Sequence, residues 1–64
     1  MRVRYTLPSK KCDFFATINV AKKVRDLTDA DYVKIRQALE RHVVQELGFS
    51  KAEAELLVIL KMND

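Results

Sequence analysis

Few side chains in these 64 residues could do covalent chemistry: there is one cysteine, Cys12, one histidine, His42, and one glycine, Gly48. Cys12 follows Lys10 and Lys11, a setting that would suit a reactive thiol, against the plainer reading of a free thiol in a hairpin loop. A working nucleophile also needs a base held by a third group, and His42 lies in a different segment with no orienting motif around it. One glycine cannot build a phosphate-cradling loop, and no ligand set stands at metal-binding spacing from His42. Asp26, Asp29 and Asp31 cluster, but only Asp29 and Asp31 match any part of a calcium-loop pattern. Their place at a helix start accounts for them as dipole and capping groups. No catalytic residue, metal or cofactor is assigned, and the chain is expected not to be an enzyme.

The charges speak to binding instead. Residues 1 to 25 hold seven basic side chains, Arg2, Arg4, Lys10, Lys11, Lys22, Lys23 and Arg25, against Asp13 alone. Residues 26 to 64 hold five basic side chains against eight acidic ones, so a chain of net charge +3 is divided into halves of opposite sign. Lys10 and Lys11 at a hairpin tip, with the other five cations at its far end, would form two clusters able to meet phosphates or an acidic protein face. Phe15 shares the polar-side register with Thr17 and Asn19, where an exposed aromatic suits base stacking or a protein hot spot. The competing reading is that Lys and Arg guard the edges of a small sheet against aggregation.

The elements that must carry these residues follow from periodicity. Val3, Tyr5 and Leu7 alternate with Arg2, Arg4 and Thr6, a period of two that marks a half-buried strand. Pro8 to Asp13 makes a polar loop. From Phe14 to Val24 the alternation resumes, with Phe14, Ala16, Ile18 and Val20 on one side and Phe15, Thr17, Asn19 and Ala21 on the other, predicting a hairpin over 2–24. Thr28 with Asp31 forms a capping box, and Leu27 with Tyr32 a hydrophobic staple. The helix it opens is expected over 28–47, with Tyr32, Ile35, Leu39, Val43 and Leu47 on its core arc. His42 borders that arc as a structural residue, and Val33 lies on its flank. Gly48 suits the left-handed residue that ends such a helix, which would pack Phe49 back on Val44. Ser50 and Glu53 then cap a short helical turn, and Leu56, Val58, Ile59 and Leu60 read as a buried strand over 56–62, parallel to the first. The expected fold is a single α+β domain over 1–64, β-β-α-β, a three-stranded sheet packed on one helix.

The stretch from Gln45 to Glu53, preceded by an alternating strand and a helix, resembles part of the ribbon-helix-helix DNA-binding proteins. That resemblance implies a dimer whose paired strands read the major groove, with Thr17 and Asn19 at the contact positions. The long helix, the extra N-terminal strand and the β-prone Leu56 to Leu60 depart from that pattern.

No apolar run reaches the roughly 20 residues of a membrane span, and Met1 to Tyr5 is charged where a secretory signal would be apolar. The single cysteine cannot form an internal disulfide, so a cytoplasmic location is expected. The function expected is a small regulatory or inhibitor-like module that docks on a larger protein through the basic hairpin. The alternative is a nucleic-acid binder, and pairing of two copies is open under either. The partner-binding residues assigned are Arg2, Arg4, Lys10, Lys11, Phe15, Lys22, Lys23 and Arg25.

Overall fold

The computed structural model describes residues 1–64. The first strand, β1, spans Arg2–Thr6, β2 spans Asp13–Thr17, and a single 3-10 turn covers Val24–Asp26. Helix α1 spans Asp29–Gln45, the short α2 spans Lys51–Glu55, and β3 spans Val58–Asn63. The three strands form one antiparallel sheet in the order β2-β1-β3, so the small α+β architecture is as expected.

The inner face of β1 supplies Val3 and Tyr5, with Leu7 just beyond, all with no solvent exposure. These meet Ile35, Leu39 and Val43 of α1, one residue per helical turn, and Ala54 and Leu57 close the cluster. Phe14, Ala16, Ile18 and Val20 are half-buried against this core while Phe15, Thr17, Asn19 and Ala21 are exposed, as the alternation predicted.

Several expectations need correction. The second strand does not run to residue 24: its ladder with β1 ends where Arg2 pairs Thr17, extended by the Ile18 N–H donating to the Met1 carbonyl at 2.8 Å and the Met1 amino group donating to the Ile18 carbonyl at 3.0 Å. Beyond Ile18 no strand pairing continues, although Ile18 and Val20 keep the inward parity by packing on the core. The third strand runs antiparallel to β1, not parallel. A crossover through α1 carries the chain back in the direction of β2, and β3 then lies on the far side of β1 from β2.

The third strand starts at Val58, not at residue 56, and is an edge rather than a buried strand, with Val58 and Leu60 exposed, as is Leu56 before it. The β1–β3 register shifts between Arg4 and Tyr5, which pair with Lys61 and Ile59, so Leu60 is the extra residue of a bulge. Ile59 and Met62 both reach the core in consequence. Tyr32 on α1 and Leu47, two residues past its end at Gln45, are 42% and 40% exposed, outside the core assigned to them. A helix of 17 residues is about 25 Å long and a five-residue strand about 17 Å, so the helix ends overhang the sheet.

The helix termini follow the sequence closely. Thr28 Oγ1 accepts from the Asp31 N–H while the Asp31 carboxylate accepts from the Thr28 N–H, completing the capping box. Gly48 takes φ +77°, as a left-handed helix stop. Phe49, however, turns to the sheet, meeting Phe14 edge-on at 6.2 Å, while Val44 remains exposed.

Candidate functional site

Because α1 covers one face of the sheet, every outward-pointing side chain of the three strands lies on the other face. The centre strand contributes Arg2 and Arg4. Register places Thr17 opposite Arg2 and Phe15 opposite Arg4 on β2, and Asn63 opposite Arg2 and Lys61 opposite Arg4 on β3. Arg2, Arg4, Phe15, Lys61 and Asn63 together line a shallow hollow of about 230 Å³.

Phe15 is 55% exposed, and the Arg2 guanidinium lies 4.8 Å from its ring centroid. That contact is a cation–π pair between neighbouring strands. Arg4 Nε lies 3.8 Å from the Asp13 carboxylate, and both side chains are about half exposed, so the pair is weak and leaves Arg4 available. Lys61 makes no ion pair. The face thus presents three cations against one carboxylate, with an aromatic ring and an amide among them.

The eight partner-binding residues assigned from sequence divide three ways. Arg2, Arg4 and Phe15 converge on this open face. Lys10 and Lys11 stand at the hairpin tip, where Lys10 Nζ sits 5.2 Å from the centroid of the Phe49 ring. Lys22, Lys23 and Arg25 belong to the connection into α1, not to the end of a long hairpin. Lys22 is engaged there, its Nζ donating to the Asp31 carboxylate at 2.9 Å.

That carboxylate is held at about 2, below its ordinary 3.8, first by the Thr28 backbone N–H, then by Lys22 and the Thr28 hydroxyl. Sequence reasoning missed Lys61 and Asn63. Both fall two apart around the inward Met62, a parity that becomes visible only once the bulge at Leu60 is known.

Cys12 is a free, exposed thiol in the hairpin loop, and His42 is half-buried on α1, lining a groove with residues 15–19 of β2 and its extension. The two sit on different elements, and no three His, Cys, Asp or Glu side chains gather as a metal ion would require. No helix is long and apolar enough to cross a membrane. Strand β2 pairs with β1 along one edge and the last segment is a strand, so the departures from the ribbon-helix-helix pattern are present in the fold. Comparison with known proteins finds no matching family model, curated protein or solved structure.

Proposed function

We propose that this chain is a non-enzymatic, regulatory binding module that docks on a larger anionic partner through the open face of its sheet. One observation carries the reading: Arg2, Arg4 and Lys61 project from adjacent strands on a face that no element of the chain covers, with Phe15 among them. Folding does not require this arrangement, since exposed charges contribute little to stability. Like charges placed side by side across strands are in fact mildly unfavourable until a counter-charge arrives. A partner of opposite sign relieves that repulsion, and the field of the face steers its approach. Cys12, exposed and unpaired, suits a reducing compartment such as the cytoplasm.

The test is the triple variant Arg2→Gln, Arg4→Gln, Lys61→Gln, compared with the parent for retention on an immobilised polyanion and for thermal unfolding. Retention should be lost while the unfolding midpoint stays within a few degrees of the parent. A variant retained as strongly as the parent would move the binding surface elsewhere.

A further inference from the structure

We infer that the partner of this face is single-stranded nucleic acid, an assignment that rests on the docking reading above. Cations alone would serve any polyanion, so the choice turns on what stands among them. Phe15 is more than half exposed, with the Arg2 guanidinium over its ring at 4.8 Å, so a base stacking here takes the place of that cation on the ring or adds to the same stack. Asn63, across β1 from that pair, carries both a donor and an acceptor, the complement of a base edge. Arg2 and Arg4, two residues apart on one strand, lie about 6.6 Å apart along it. With Lys61 opposite Arg4, they form a short track of positive charge beside the ring.

A duplex buries the faces of its bases in the stack and offers nothing for Phe15 to cover. An acidic protein would satisfy the cations and can cover the ring, but it does not bring flat faces and phosphates together at the spacing of neighbouring residues on one strand. Unpaired bases use all three: stacking on the ring, an edge for the amide and phosphates for the cations.

Fluorescence anisotropy with a labelled single-stranded oligouridylate, the matching duplex, and polyglutamate as competitor decides the matter. The single strand should bind at least tenfold tighter than the duplex. Its affinity should fall with salt on a log–log plot with a slope of roughly −2, the value for about three phosphates on a single strand. Phe15→Ala, at an exposed position, should weaken binding roughly tenfold without changing that slope, and Phe15→Trp should restore it. Each of Arg2→Gln, Arg4→Gln and Lys61→Gln should make the slope shallower by about 0.7.

Equal affinity for single strand and duplex, or indifference to Phe15→Ala, overturns the nucleic-acid assignment. So does displacement of the oligonucleotide by polyglutamate at equal charge concentration, which would point to an acidic protein. In those cases the docking face itself stands if the triple cation variant loses polyglutamate. If that variant keeps its affinity for every polyanion, the docking reading fails as well.

Discussion

At the residue scale, two side chains show how local chemistry shapes this small fold. Tyr5 is wholly buried, stacks on Phe14 at 5.6 Å, and its hydroxyl meets no hydrogen-bond partner. Burial therefore pushes its ionisation above 10.0, and the ring rather than the hydroxyl accounts for its place in the core. Asp31 is the opposite case, a carboxylate held in its charged form by three donors at the start of α1. Its folded pKa of about 2 lies below the ordinary 3.8, so its contribution to stability is present above about 3.8 and is lost as pH falls towards 2. Urea unfolding between pH 5 and 2 should show this loss in the parent and a shallower acid limb in Asp31→Asn. Parallel acid limbs for the two proteins would mean that the capping box does not form. The capping box was legible in the sequence, because Thr28 and Asp31 alone fix it. The bridge from Lys22 was not, since it depends on how the chain folds back from β2.

At the scale of the elements, the helix stop gives the sharpest expectation. Gly48 sits at φ +77° with no atom within 4 Å of where a Cβ would stand, so a side chain there meets strain without a clash. Gly48→Val should destabilise the fold by about 1 kcal/mol or more, and Gly48→Asn by less, measured by chemical denaturation. Equal midpoints for Val and Gly would show that the helix does not end in this conformation. The packing of α2 rests on specific partners: Arg36 of α1 donates to the Glu55 carbonyl at 2.8 Å, and Ser9 of the hairpin loop donates to Glu53 at 2.8 Å. Strand β1 and both helix starts could be read from sequence because period and capping are local signals. The end of β2 could not, since Ile18 and Val20 keep a strand's parity after the hydrogen-bond ladder has ended. Nor could the direction of β3, because alternation is the same for a strand run either way.

At the scale of the whole molecule, one helix and one sheet make two layers, and the sheet keeps a face with nothing over it. The division of charge along the sequence becomes a division of surfaces only in part. The N-terminal excess scatters over the hairpin tip, the α1 connection and the open face, and Lys61 from the acidic half joins Arg2 and Arg4 across the sheet. Three members of the site were therefore legible in the hairpin, Arg2, Arg4 and Phe15, whereas Lys61 and Asn63 needed the order β2-β1-β3 and the bulge to be placed. The central claim is that this face, and no other, receives the partner. Amide chemical-shift mapping of the labelled protein during titration with single-stranded oligouridylate tests it most directly. The account predicts that the largest shifts fall at residues 2–4, 15–17 and 61–63, with α1 nearly still. Shifts centred on the hairpin tip at Lys10 and Lys11, or on the α1 flank around Val33, would contradict it.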